Sequence, residues 1–183
     1  MTKRFIVSLT LLIVFTFTIK AQAFSEHFED KTLRIDYLWI GDALKQSIAI
    51  DEISCFPKWA GRRNNLATFP LVGDGELVMY SKKTRKCIYK TTFSSLFHEW
   101  LDLPEAKMVT KGFEHTILLP FPKEKTSIQV KLFDNERNVR TELTHFIDPK
   151  DILIRKRKKS KHDFRYLVRN GEPKNCIDVV IVS

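Results

Sequence analysis

Alternation of apolar and polar side chains recurs along this 183-residue chain and predicts a series of short β-strands. In residues 32–39, the apolar side chains Leu33, Ile35, Tyr37 and Trp39 fall on one face of a strand. Similar patterns predict a strand over residues 46–53 and a hairpin whose two strands cover 75–81 and 87–93. The chain therefore favours β-structure from its first patterned segment onward.

The strongest alternation lies between Phe113 and Phe146 and predicts three strands joined by two turns. Residues 113–119, 127–133 and 139–146 form the strands, and residues 134–138 supply side chains that tolerate turn geometry. We therefore expect a β-meander here, around which the other elements pack. The apolar phase of the strands predicts five core residues, which are Leu33, Tyr37, Ile128, Val130 and Leu132.

About seven short strands without a long helical period predict an antiparallel β-sandwich with immunoglobulin-like spacing. We place this domain at residues 24–149, with an added edge strand at 151–154. Residues 55–65 are predicted as a loop that contains Trp59. Ser94 and Ser95 precede a short apolar segment and are predicted to cap one helical turn.

The first 23 residues have the organisation of a secretory signal peptide. Lys3 and Arg4 form a charged start, residues 5–19 are apolar, and Ala21-Gln22-Ala23 fits a cleavage site. A membrane anchor is the alternative, but 15 apolar residues fall short of the roughly 20 that span a bilayer. We expect cleavage after Ala23 and an exported product in the periplasm, on the cell surface or outside the cell.

The formal net charge of +9 is concentrated outside the predicted domain. Residues 24–149 hold 18 basic and 18 acidic side chains, whereas residues 150–183 hold ten basic and four acidic ones. The dense basic run at 155–161 is interpreted as part of a solvated linker over 150–175; the alternative is a patch for nucleic acid or anionic lipid. Export argues against a nucleic-acid partner. The apolar run 176–183 is typical of a strand buried on both faces.

Three cysteines, Cys55, Cys87 and Cys176, leave at least one thiol unpaired in an exported chain. A bridge between Cys55 and Cys87 and a pair of buried free thiols are both compatible with the sequence.

The residues with catalytic potential form no recognisable active site. His98-Glu99 begins as a zinc-peptidase helix does, but Asp102 stands where the second metal-binding histidine belongs. His115 and His145 lie on predicted neighbouring strands and are interpreted as half-exposed strand residues. We predict no catalytic residue, no metal site and no cofactor in this chain.

Several short motifs, in order along the chain, resemble the N-terminal domain of IgA-peptidase-type secreted zinc metallopeptidases (metallopeptidase family 64). The segments that carry the resemblance are residues 28–37 with Gly41-Asp42, Trp59-Ala60-Gly61-Arg62 through Asn65-Leu66, Phe97 with Glu99-Trp100, Glu105-Ala106-Lys107, residues 119–123, and Ile147-Asp148-Pro149. In that family a β-sandwich precedes a catalytic zinc domain. The resemblance implies that residues 170–181 correspond to the linker end and the first strand of that domain.

The resemblance implies a non-catalytic accessory domain, because no position in this chain matches the family's His-Glu-x-x-His zinc helix. That helix is expected beyond residue 183, and the separately encoded peptidase domain would be the partner. The alternative is a stand-alone exported module that binds a glycan or a protein. In that case we expect exposed aromatic side chains, namely Trp39, Trp59 and Trp100, to form the binding surface.

Overall fold

The computed structural model describes residues 24–158, 165–168, 170–171 and 179. Its strands form two sheets packed as a sandwich, which confirms the predicted mostly-β fold class. The predicted signal peptide lies outside the described residues, as does almost all of the predicted strand at 176–183. Within the described residues, no helix is long and apolar enough to cross a membrane.

Eight strands, two short α-helices and one 3₁₀ helix make up the described part. In chain order they are α1 (Phe24–His27), β1 (Phe28–Gly41), β2 (Gln46–Pro57), β3 (Gly75–Ser81), β4 (Cys87–Phe93), α2 (Leu96–Leu101), the 3₁₀ helix (Pro104–Lys107), β5 (Lys111–Pro122), β6 (Thr126–Phe133), β7 (Val139–Ile147) and β8 (Arg155–Lys156). The predicted bounds of β3 and β4 match the structure.

The first sheet has the strand order β5-β1-β2-β8 and the second has the order β4-β3-β6-β7. All strand pairs are antiparallel except β2 with β8. In an immunoglobulin domain the first strand lies at the edge of its sheet. Here β1 is central, because it pairs with β2 on one side and with β5 on the other.

The core lies between the sheets and is built from the apolar faces of the long strands. Leu33, Ile35, Tyr37 and Trp39 of β1 are all completely buried, as period-two alternation predicts. The five predicted core residues are confirmed, since Leu33, Tyr37, Ile128 and Val130 are 0% exposed and Leu132 is 3% exposed.

The predicted meander between Phe113 and Phe146 is wrong at its first turn. β5 pairs with β1 in the first sheet, whereas β6 pairs with β3 and β7 in the second. The three residues 123–125 therefore carry the chain from one sheet to the other. Only the hairpin of β6 and β7 remains from the predicted three-stranded unit.

β2 continues to Pro57, so Cys55 lies in a strand opposite Leu33 and not in the predicted loop. Cys55 and Cys87 are both free thiols and both half-buried, so the alternative of a disulfide between them is wrong. Cys176 lies outside the described residues.

The predicted edge strand at 151–154 is displaced to β8, which pairs with Ser54 and Cys55 of β2. Ile154, just before β8, is 7% exposed and belongs to the core. Folded structure therefore continues past Pro149 into the basic run that was interpreted as linker.

Strand register defines two ends of the sandwich. The loops at 42–45, 73–74, 94–110 and 134–138 lie together at one end, which we call the far end. At this end β1 stops and β2 starts, and β6 stops beside the start of β3. The loops at 82–86, 123–125 and 148–154 lie at the opposite end, which we call the exit end because the chain leaves it through β8.

Candidate functional site

The three tryptophans proposed as an exposed binding surface are buried, so that expectation is wrong. Trp39 is 0%, Trp59 7% and Trp100 6% exposed. Trp39 stacks between Tyr37 and Phe93, with ring centroids 5.4 and 5.7 Å away. These rings contribute to folding through packing and burial, and they offer no flat surface to a ligand.

The other two tryptophans use their indole N–H groups to fix local structure. Trp59 Nε1 donates to the carbonyl oxygen of Arg62 at 3.0 Å. Trp100 Nε1 donates to Glu105 Oε2 at 2.9 Å, and Lys111 Nζ lies 2.6 Å from the same oxygen. These two partners keep the pKa of the Glu105 carboxyl below its usual value, the Lys111 ammonium contributing most.

His98 and Glu99 lie on α2, beside the β6–β7 turn. Ser95 caps α2 as predicted, because its Oγ accepts from the backbone N–H of His98 at 3.2 Å. His98 Nε2 lies 2.9 Å from Asn135 Oδ1. Within residues 24–158 and the other described positions, no group of three or more His, Cys, Asp or Glu side chains is placed to hold a metal ion.

A cleft of about 280 Å³ opens at the far end, between α2 and the β6–β7 turn. Its walls combine charged, amide and hydroxyl side chains with backbone, and its lining consists of Gly73, Asp74, Ser94, Ser95, His98, Glu99, Asp134, Asn135 and Arg137. These polar groups can donate hydrogen bonds to a hydroxyl-rich or amide-containing ligand and can accept hydrogen bonds from it.

Asp74 holds the walls of this cleft together and is itself only 8% exposed. Its carboxylate accepts hydrogen bonds from Ser95 N at 2.8 Å and from Ser95 Oγ at 2.6 Å. Its backbone N–H donates to Phe93 O, and its carbonyl accepts from Phe133 N. One residue thus joins the starts of β3 and α2 to the ends of β4 and β6.

The β6–β7 turn is stabilised by Asp134, whose Oδ1 accepts from the backbone N–H groups of Glu136 and Asn138. Partial burial acts to raise the pKa of the Asp134 carboxyl, but hydrogen bonds from the Asn138 side chain and from these two backbone N–H groups hold it below its usual value. Arg137 has a φ of 69° and donates to Gly73 O. The turn is therefore bonded to the opposite wall of the cleft.

His115 and His145 lie in different sheets, contrary to the interpretation that they occupy neighbouring strands. His145 of β7 reaches across the core, where its Nε2 lies 2.7 Å from the Tyr37 hydroxyl of β1. Burial lowers the pKa of His145 to about 4 and raises that of Tyr37 well above its usual value. Burial also lowers the pKa of His115, which packs against Phe93 and Trp39.

The loop between β2 and β3 is organised by Arg62. The sequence pattern indicates this residue only as the last position of the Trp59-Ala60-Gly61-Arg62 motif. Its guanidinium donates to four backbone carbonyls, those of Asn65, Leu66, Thr68 and Lys90. It also lies 4.7 Å from the ring centroid of Phe69 and 4.8 Å from that of Tyr89.

The same loop requires glycine beside Arg62. A Cβ atom at Gly61 would lie only 2.2 Å from the Trp59 ring, so the Trp59-Ala60-Gly61-Arg62 motif has a structural explanation.

The protein is therefore a β-sandwich domain with a polar cleft at one end. Its two sheets are joined by α2, which Ser95 caps, and by the β2–β3 loop, which Arg62 holds in place. A family model described as the N-terminus of peptidase M64 matches residues 23–144. The match covers most of the chain, so the chain belongs to this family as its N-terminal domain. A search of curated proteins found no match.

Proposed function

We propose that this chain is the exported, non-catalytic accessory domain of an M64-type peptidase. The observation that carries the proposal is the family match, which covers most of the sandwich and is specific to the N-terminal region of these peptidases. The position of His98 also supports it, because this histidine faces Asn135 across the cleft and Asp102 terminates its helix. In this role the domain supports a peptidase domain and leaves the chemistry to that partner.

Export is tested with the leader intact and with the leader deleted. In a bacterial host, the full chain is expected outside the cytoplasm with Phe24 as its first residue, because the Ala-x-Ala pattern ends at Ala23. A chain that starts at Phe24 is expected to remain in the cytoplasm. Cytoplasmic retention of the full chain with an uncut N-terminus would contradict export.

The accessory role is tested by association with a separately produced M64 peptidase domain. Chemical-shift changes in labelled sandwich domain report even weak binding, of the order of 1 mM, which corresponds to about −4 kcal/mol. Binding of the peptidase domain that leaves the chemical shifts of His98 and Asn135 in the cleft unchanged would support an accessory role that does not use the cleft. No shift at any concentration would contradict this role.

The second candidate is a stand-alone module that binds a glycan or protein. The polar cleft of about 280 Å³ favours it, and this cleft replaces the buried tryptophans as the surface to test. Ligand-induced shifts confined to the cleft, without association with a peptidase domain, would support this function instead of the first.

A further inference from the structure

Three loops that are distant in the sequence come together at the exit end. β3 ends at Ser81 opposite Thr126 of β6, and Thr126 lies opposite Ile147 of β7. The backbone N–H of Lys82 donates to Lys125 O at 3.1 Å, and Lys125 Nζ lies 2.8 Å from Asp148 Oδ2. The β3–β4 turn, the 123–125 link and the segment after β7 therefore form one continuous surface.

This surface is strongly basic although the domain as a whole is nearly neutral. The segments 82–86, 123–125 and 148–158 together hold eleven Lys and Arg residues and three acidic residues. The rest of 24–147 holds 12 basic and 16 acidic residues; one of these acids, Glu52, pairs with Arg155 and Arg157. Positive charge is therefore enriched at the exit end. All five side chains of the 82–86 turn are exposed.

Two large, exposed apolar side chains lie in the 148–158 segment of this basic surface. Ile152 is 94% and Leu153 is 78% exposed. Their turn has a fixed backbone, because Asp151 Oδ1 accepts from Leu153 N at 2.9 Å and the next residue, Ile154, is buried in the core. Phe146, one residue before the end of β7, is 61% exposed, and Lys82 Nζ lies 4.6 Å from its ring centroid.

We propose that the exit end is a docking surface for an anionic lipid bilayer. Basic side chains are attracted to the negative surface potential of such a membrane, and exposed apolar side chains gain by leaving water for the acyl boundary. Ile152 and Leu153 enter the interface, while the lysines and arginines around them contact lipid phosphates. The acidic far end, with its polar cleft, then faces away from the membrane.

We assign a bilayer and not a soluble polyanion as the partner, because a polyanion would match only the charge of this surface, whereas a bilayer would also cover the exposed apolar pair. In this arrangement lipid phosphates form ion pairs with the basic side chains of the turn at 82–86. The acyl region removes Ile152 and Leu153 from water. This inference does not depend on the peptidase role, since it concerns the opposite end from the cleft and needs no second domain.

The test is co-sedimentation of the mature chain, residues 24–183, with lipid vesicles. Vesicles of phosphatidylcholine alone are compared with vesicles that also contain phosphatidylglycerol, at low and at high salt. The chain is expected to bind the anionic vesicles and to lose at least about tenfold in affinity at high salt, where charges are screened within a few ångströms. Absence of binding, or equal binding to both vesicle types, would overturn the proposal.

Two double variants separate the folded surface from the basic run that follows it. K82E/K83E reverses charge in the β3–β4 turn, and I152S/L153S removes the apolar pair; each is expected to weaken binding at least about fivefold. K45E/K107E, which changes exposed lysines at the far end, is the matched control and should bind as the parent does. Far-UV circular dichroism checks that all variants are folded.

The outcomes discriminate between partners. Unchanged binding by both exit-end variants would place the interaction in the chain after β8 and overturn the proposal. Soluble polyphosphate that binds as tightly as vesicles, with I152S/L153S behaving as the parent, would assign the surface to a polyanion and also overturn it.

Discussion

Replacing Arg62 with alanine should release the loop between β2 and β3 and destabilise the domain. The guanidinium is half-buried and donates to the carbonyls of Leu66 and Lys90, both partly buried, as well as to two more exposed ones. Because Leu66 O also accepts from Lys90 N, these bonds attach the loop to the edge of β4. Removing the side chain therefore releases the loop and uncovers that edge.

The expected cost follows from the contacts that are lost. Hydrogen bonds to a charged group contribute roughly 1.5–3 kcal/mol each when partly buried, and far less when exposed. The contacts of Arg62 with Phe69 and Tyr89 each add roughly 0.5–1 kcal/mol. Since neighbouring contacts are not additive, we expect a total loss of about 3–5 kcal/mol for Arg62→Ala. Lysine offers one charged centre in place of a planar fork, so Arg62→Lys should recover less than half of this.

The assay is equilibrium unfolding in urea, followed by tryptophan fluorescence, since all three tryptophans are buried. Arg63→Ala is the control, because Arg63 is the adjacent arginine in the same loop and makes fewer contacts. It has an exposed ion pair with Asp30, one hydrogen bond to Trp59 O and one contact with the Phe24 ring. This control should cost less than half as much as Arg62→Ala, since a surface ion pair contributes little and only one backbone carbonyl is involved. If Arg62→Ala were as stable as Arg63→Ala, the assigned role of the guanidinium would be refuted.

Three further predictions concern the core, the response to acid and the exit strand. Leu132→Ala should cost about 2–4 kcal/mol by urea unfolding, whereas Leu118→Ala, at a 53% exposed position, should cost well under 1 kcal/mol; equal costs would contradict the strand phase. The pKa of His145 is about 4 in the fold against 6.5 ordinarily, so its unprotonated form stabilises the fold above pH 6.5, and about 2–3 kcal/mol is lost as the pH falls to 4. His145→Gln should flatten that part of the stability curve, and an unchanged curve would argue against the assignment. Glu52 forms ion pairs with Arg155 and Arg157, which hold β8 against β2. Glu52→Ala should loosen β8, so that trypsin first cuts at Arg155, whereas in the parent it first cuts beyond β8. The same first cut in parent and variant would contradict this.

Local alternation was sufficient to predict most strands and the helix cap. β3 and β4 were predicted at their observed bounds, and Ser95 was predicted as a cap because a hydroxyl before an apolar turn satisfies free N–H groups. The burial of Trp39 was also available from the sequence, since this residue shares the apolar phase of Leu33 and Tyr37. The expectation that Trp39 forms part of an exposed binding surface is inconsistent with its position on this apolar face.

The arrangement of strands and charges could not be predicted because it depends on contacts between distant segments. A three-residue link such as 123–125 suits both a hairpin and a crossing between sheets, and only the pairing of β5 with β1 decides. The cluster of basic residues at the exit end could not be predicted from the sequence for the same reason. Acidic and basic residues cancel along residues 24–149, and strand register alone brings the 82–86 turn beside the segment after β7.

The proposal that the domain leaves peptide cleavage to a partner is tested by measuring zinc content and proteolysis of the purified mature chain. After dialysis, we expect far less than one zinc per chain and no cleavage of an unfolded protein substrate, because Asp102 stands where a second histidine ligand belongs. If the chain instead retained one zinc, lost it when His98 was changed to alanine, and cleaved the substrate, it would be a peptidase in its own right.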